Sequence, residues 1–198
     1  MGESVFIVGG GPSVADQNLE LLRGRKVIAI NSSFKVVPFA DVLFFGDARW
    51  WQENSQGVLD DFNGDLVTTA EEQRLASASW HLNYKPLLRV LKKTLEWSDD
   101  PNAAFVRRTS VTGAINWAFH HWDARRFVLL GVDGGPVKGA THHHAPHKWT
   151  LPSTWVADQR RDFEALDGAL KARGVEVINA SPGSSVPFWP IVSLAEVP

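Results

Sequence analysis

Cysteine is absent from the 198-residue chain, which excludes disulfides, thiolate metal sites and a cysteine nucleophile. Net charge is nearly absent as well. Twenty Lys+Arg stand against 22 Asp+Glu, a formal charge of -2, so there is no bulk attraction for nucleic acid. Phosphate binding must come from local basic groups or backbone amides. No apolar run approaches the length of a membrane span, so no membrane partner is expected. The opening MGESVFIVGGGPS has neither a basic start nor a long apolar core. It predicts no signal peptide and a cytoplasmic location.

Tyrosine and methionine occur once each, whereas tryptophan occurs nine times. Trp50, Trp51, Trp80, Trp97, Trp117, Trp122, Trp149, Trp155 and Trp189 are spread along the whole chain, which argues for core and interface packing over one aromatic stripe. A buried subunit interface in a homo-oligomer is compatible with this load. Trp149, beside a histidine cluster, is the candidate for stacking on a base or sugar ring. The composition is otherwise ordinary, 44% hydrophobic and 21% charged, which excludes a disordered or fibrous chain.

Continuous apolar runs at Ser4–Val8, Lys26–Ile30, Asp41–Phe45, Asp65–Thr68, Arg126–Leu130 and Val175–Ile178 predict buried strands of a sheet covered on both faces. Ser13 is placed to cap a helix carrying Leu19, Leu21 and Leu22 and closed by Gly24. The spacing of Leu87, Leu88, Leu91 and Leu95 predicts a helix over Tyr84–Trp97, followed by a turn at Asp99–Asn102. Further helices are predicted over Ser110–Trp122 and Val156–Arg173, the latter stopped by Gly174. Strand–helix alternation means one α/β domain with a mostly parallel sheet and right-handed crossovers. Ligands of such sheets sit beyond the carboxyl ends of the strands. Four predicted strand ends there carry suggestive residues: Gly9–Ser13, Asn31, Asp47 and Gly131–Asp133.

Gly9, Gly10, Gly11, Pro12 and Ser13 form a turn between a strand and a predicted helix. Consecutive glycines let backbone approach a ligand closely, and phosphate is the natural guest of a helix start; the alternative is a tight connection. The run is neither a GxGxxG fingerprint nor a Walker loop.

With the segments that follow, this G-x-G-P-S turn resembles a family of α/β proteins related to the archaeal 6-hydroxymethylpterin diphosphokinases, many of them phage-encoded. Bacterial sialyltransferases that use a cytidine-monophosphate sugar have a similar glycine-proline-serine turn. The resemblance runs through KVIAIN ending at Asn31, DVLFFGDARWW with Asp47, AINWAFHHWDARRFVLLGVD ending at Asp133, the Thr141–His147 loop and the closing GVEVINASPGSS. It implies a single Rossmann-like three-layer domain over residues 1–198 and, for a phage protein, the host cytoplasm. Relatives usually carry Asn-Ser-Gly before the FVLLG-type strand. Here the stretch reads Thr109-Ser110-Val111, so only Ser110 matches, with Gly113 two residues later as a source of backbone freedom.

Asn31 is placed to hydrogen-bond a ribose or base, or else to close a turn. Asp47 and Asp133 can hold a ribose hydroxyl or a divalent metal, or serve as a helix cap and a loop ion pair. The resemblance puts both at the ligand edge, where they are expected to share a Mg²⁺ that bridges phosphates. In the Thr141–Lys148 loop, His142, His144 and His147 are candidate Zn²⁺ ligands. Alternatively they are catalytic, a neutral imidazole taking a proton from an acceptor hydroxyl while Lys148 adds charge for a polyphosphate. The Arg107-Arg108, Arg125-Arg126 and Arg160-Arg161 pairs read as solvated edges, with Arg160 or Arg161 a weak candidate for a phosphate contact. The Ser181–Ser185 segment reads as a covering loop or a closure over the ligand edge.

Three functions fit. One is a transferase moving a diphosphoryl or phosphoryl group from ATP with Mg²⁺ to an unidentified acceptor hydroxyl, as the diphosphokinase resemblance implies. Another is a nucleotide-sugar glycosyltransferase, suggested by the sialyltransferase-like turn. The third is a non-catalytic nucleotide-binding protein.

Overall fold

The computed structural model describes residues 3–71, 74–75, 88–144 and 152–198. Seven strands form one sheet: β1 (Val5–Val8), β2 (Lys26–Ile30), β3 (Val42–Phe45), β4 (Asp65–Thr68), β5 (Leu88–Val90), β8 (Arg126–Leu130) and β9 (Glu176–Asn179), in the order β5-β4-β3-β2-β1-β8-β9. Every pairing in it is parallel. A second sheet pairs the short strands β6 (Lys92–Thr94) and β7 (Ala103–Phe105).

Because successive residues of a strand face opposite ways, continuous apolar strands feed two cores. Val5, Ile7, Ile28, Phe44, Phe127 and Leu129 pack on one face with helices α2 (Ser110–His121) and α3 (Trp155–Lys171). Phe6, Val8, Ala29, Leu43, Phe45 and Leu130 pack on the other with helix α1 (Ala48–Asp61) and short 3-10 segments. The result is a Rossmann-like three-layer α/β fold. Among the described residues no helix is long and apolar enough to cross a membrane.

The long strands stand where their apolar runs predict them, to within a residue. Three segments differ from expectation. Residues 12–22 form two 3-10 segments, Pro12–Asp16 and Leu19–Leu22, not one helix from Ser13. Asn18 interrupts them by accepting a hydrogen bond from the Glu20 amide at 3.3 Å, a local bond that competes with helix continuation. Leu21 is left exposed. The described part of 84–97 is β5 and β6, not a helix. Pairing with β4 and β7 overrides the leucine spacing, burying Leu91 and leaving Leu95 64% exposed. Helix α1 has no counterpart in the sequence reading, although Ala48, Trp51, Ser55 and Val58 recur at helical spacing and are all buried. The expected turn at Asp99–Asn102 lies between β6 and β7.

Tryptophan serves mainly as core. Trp50, Trp51, Trp117 and Trp189 are buried, and Trp51 stacks on Phe45 at 5.0 Å. Gly113 acts by its lack of a side chain, because a Cβ there would stand 2.4 Å from Val106 and 2.7 Å from Phe44. Replacing glycine by alanine ordinarily favours a helix by up to about 1 kcal/mol. Overpacking at this α2–β3 seam costs about 1–3 kcal/mol. Gly113→Ala is therefore expected to lower the urea midpoint, whereas Gly57→Ala, open on the surface of α1, is expected to raise it.

Candidate functional site

The strand order reverses at β1: β2, β3, β4 and β5 run outward on one side, β8 and β9 on the other. Chain segments leaving β1 and β8 diverge at such a point and leave a crevice at the carboxyl edge of the sheet. A cleft of about 250 Å³ lies there. Gly10 and Gly11 after β1, Asn31 after β2, Asp47 after β3 and Gly131 and Asp133 after β8 all line it. Ser110 at the start of α2, with His142 and His144 from the histidine loop, completes the set of expected residues that it brings together. Gly9, Pro12 and Ser13 are not in the lining, and His147, Lys148 and Trp149 lie outside the described residues.

The glycine turn is built differently from a phosphate cradle. Gly9 N donates to Leu130 O at 2.7 Å, Gly11 N to Gly131 O at 2.9 Å and Ser13 N to Asp133 Oδ2 at 3.2 Å. These three amides are spent on the end of β8 and the turn after it, and Pro12 has none, so Gly10 N, in the cleft lining, is the amide of the glycine run without a hydrogen bond among the described residues. The 3-10 segment that follows is too short to supply a helix dipole. What the glycines permit is contact between the two turns. A Cβ on Gly11 would stand 2.0 Å from Asp133 Oδ2 and one on Gly9 2.8 Å from Gly131 O. Gly131 adopts φ +64° to complete the contact.

Asp133 is buried beneath this seam, and burial pushes its carboxyl up against the opposing hydrogen bonds from Ser13. Its Oδ2 meets Ser13, but Oδ1 has no hydrogen-bond partner among the described residues. Across β1, Asn31 stands at φ +50°, a left-handed conformation uncommon outside glycine. Its Oδ1 is likewise buried and unpartnered among the described residues. An orphaned buried acceptor costs about 1–3 kcal/mol, and two of them flank one cleft.

Asp47 has a different setting. It caps α1, accepting from the Arg49 amide at 2.8 Å, and pairs with the Arg49 guanidinium at 3.2 Å. β3 and β8 are separated by β2 and β1, so the ends that carry Asp47 and Asp133 are about 14 Å apart. They are therefore not neighbouring strand ends, although both line the one cleft. Among the described residues no group of three or more His, Asp or Glu is arranged to hold a metal ion. The donor set fits Mg²⁺ in a narrower form, with Asp133 Oδ1 as one carboxylate ligand and phosphate and water oxygens as the rest.

The histidine loop is fastened by a residue absent from the expected set. His143 N donates to Gly10 O at 3.1 Å, and its Nε2 lies 3.1 Å from Ser33 Oγ. Ser33 is fully buried and spends its only proton on Gly9 O at 2.9 Å. It therefore accepts from His143, which sets the Nε2–H tautomer. This latch lays the flanking rings over Gly10: His142 Cδ2 and His144 Nε2 lie 3.5 and 3.6 Å from where a Cβ of Gly10 would stand. His142 also meets Thr141 Oγ1 at 3.0 Å.

Arg108 also escapes sequence reading, since only the fold shows which arginine pair reaches the cleft. Its amide donates to the buried Asp162 at 2.8 Å, and its guanidinium lies 3.8 Å from Asp158. These contacts tie the start of α2 to α3 and place a cation and the Thr109-capped end of α2 in the cleft wall. Neither Arg160 nor Arg161 lines it; Arg161 pairs with Asp158. Trp50 and Trp155 are the aromatic residues of the wall beside Phe163. The Ser181–Ser185 segment braces the turn after β8 from behind, Ser181 Oγ accepting from Val132 N at 2.9 Å and Ser185 N donating to Asp133 O at 2.8 Å.

Compared with known proteins, the chain matches no family model, no curated protein and no solved structure.

Burial, with the adjacent His144 second, lowers the His143 pKa to about 4. The unfolded chain binds this proton near pH 6.5 and the folded chain does not, so stability is full above pH 6.5 and falls as the pH drops towards 4. The loss at this residue reaches about 3 kcal/mol at most. His143→Gln keeps a donor for Ser33 without a titrating ring. Urea midpoints measured from pH 7.5 to 4 should fall less steeply for this variant than for the native chain; parallel curves would remove His143 as the acid-labile latch.

Proposed function

We propose that the chain is a nucleotide-dependent transferase whose donor lies in the cleft at the β1 reversal. The observation that carries this reading is the pair of unpartnered buried acceptors, Asn31 Oδ1 and Asp133 Oδ1, on either side of β1. Their strand ends are two strand spacings apart, about 10 Å, a span that suits a sugar with its attached phosphate. A ribose hydroxyl or a base amine donates to Asn31 Oδ1, while Asp133 Oδ1 takes either such a donor or the Mg²⁺ ion, not both. Arg108 and the amino end of α2 face the phosphates, with Gly10 N the remaining amide of the glycine turn on the same cleft.

Phosphoryl-type transfer from ATP needs chiefly positioning and charge neutralisation. In diphosphoryl transfer the acceptor hydroxyl oxygen bonds to the β-phosphorus and the bond from that phosphorus to the bridging oxygen breaks. AMP leaves with the bridging oxygen, and the hydroxyl proton passes to a ring nitrogen of His142 or His144. A Mg²⁺ ion held by Asp133 would neutralise phosphate charge. Zn²⁺ at the histidine loop would compete with this base role, and the use of His143 as a latch leaves two described histidines for it. One observation favours nucleotide-sugar glycosyl transfer instead: Asp47 is engaged with Arg49 and α1, which leaves a single carboxylate for a metal.

Thermal unfolding with ATP, GTP, CTP, CMP or UDP, each with Mg²⁺ or with EDTA, tests the reading. A ligand at a hundred times its Kd adds about 2.7 kcal/mol, roughly 5–10 °C for a chain of this size. A purine triphosphate is expected to stabilise the protein only with Mg²⁺, whereas a shift by CMP or UDP in EDTA supports glycosyl transfer. Asn31→Gly, which suits the left-handed backbone and removes the acceptor, should hold or raise the unliganded Tm and lose most of the nucleotide shift. A flat panel overturns the proposal, a catalytically silent binder included.

A further inference from the structure

A second cleft, of about 280 Å³, lies beside the first at the carboxyl ends of β3 and β4. Gly46 and Asp47 line both. Three cations reach the second cleft from separate parts of the chain: Arg49 on α1, Arg74, and Lys93 on β6. Two carboxylates, Asp47 and Glu71, stand against them. Asp47 is already directed at the α1 amide and the Arg49 guanidinium, so the lining keeps a cationic excess.

The cleft also holds an unused donor. Thr69 follows β4 and is 3% exposed, and its Oγ1 is buried with no hydrogen-bond partner among the described residues. Thr69, Arg74 and Lys93 line one small polar space beside the Asp47-capped end of α1. A Cβ on Gly46 would stand 3.2 Å from Ser110 Oγ and 3.4 Å from Thr69 Oγ1. Val106 Cγ1 would stand 3.1 Å from the same point, so bare glycine lets a hydroxyl from each cleft pack closely against the backbone between them.

We infer that the second cleft is the acceptor subsite and that the acceptor is a small molecule carrying a phosphate or carboxylate. This rests on the first cleft holding the donor. The anion sits among Arg74, Lys93 and the Thr69 hydroxyl, and the rest of the acceptor reaches across Gly46 towards Ser110 and the donor phosphates. The cleft volume suits one anionic group, not a polymer backbone.

Inorganic phosphate and acetate, titrated separately into the ¹⁵N-labelled full chain at low ionic strength, are the probes, with and without saturating ATP. Phosphate is expected to shift the amides of Thr69, Ala70 and Lys93, with ATP present as well as without it. Added KCl should weaken this binding. Thr69→Val and Lys93→Glu should each weaken phosphate about tenfold and leave the ATP-induced Tm shift unchanged. Thr69→Val removes a hydroxyl that bonds to nothing described, so its fold is expected to hold. Binding of acetate at the same amides assigns a carboxylate-bearing acceptor, and binding of phosphate alone a phosphate ester. Unchanged phosphate affinity in both variants overturns the subsite. Phosphate binding at these amides that survives Asn31→Gly while no nucleotide binds anywhere instead overturns the donor assignment and leaves the anion site standing.

Discussion

Hydrogen bonds from Gly9, Gly11 and Ser13 to the turn after β8 join the two chain segments that leave the middle of the sheet. Parallel strands alone would let those segments diverge, because the connections from β1 and β8 go to opposite faces. The seam holds them in backbone contact, and the close approaches at Gly9 and Gly11 leave no room for a side chain. Much else follows from it. Asp133 is buried because its Oδ2 completes the seam. The Ser181–Ser185 segment has a fixed turn to brace. His143 finds carbonyl and hydroxyl partners on the β1 side, so the histidine loop lies over the same glycines.

The carboxyl edge of the sheet is where the fold accepts local cost. Asn31 holds a left-handed backbone, two buried acceptors lack partners among the described residues, and a carboxyl is held in surroundings that disfavour its charge. The left-handed backbone and the unpartnered acceptors each cost on the order of 1–3 kcal/mol, and the apolar faces of the strands offset them. The opposite edge carries fewer such features, the left-handed Asp123 and the buried Nε of Arg126 at the start of β8. Such concentration at one edge, next to a cleft, is the pattern expected of a site completed by a ligand.

Helix ends and arginines give the edge its electrostatic character. α1 meets the second cleft with its amino end already capped by Asp47, and α2 meets the first with Thr109 as cap. Asp158 and Asp162 on α3 draw in the 107–108 segment. A pair of adjacent arginines that looks like a solvated edge thereby divides its roles, Arg107 lying 3.9 Å from a buried carboxylate and Arg108 in the wall of the cleft.

Six of the seven strands of the large sheet are legible because each is a short, largely apolar run, and burial on both faces demands that pattern; β5, Leu-Arg-Val at the sheet edge, lacks it. From those runs and the intervening helices follow the α/β class and the edge on which Asn31, Asp47 and Asp133 stand. Residues 12–22 and 88–97 were misread because leucine spacing reports which side chains are apolar, not which backbone partners are near. Asn18 breaks the first by a local bond, and β4 and β7 capture the second. Local sequence therefore determined six strands of the large sheet, helices α2 and α3, their order and the glycine turns. Strand adjacency, the separation of Asp47 from Asp133, the spending of the turn's amides, the choice of Arg108 and the His143 latch were decided by tertiary structure. Each is a contact between segments distant in the chain, whose energy depends on a juxtaposition that no short stretch of sequence encodes.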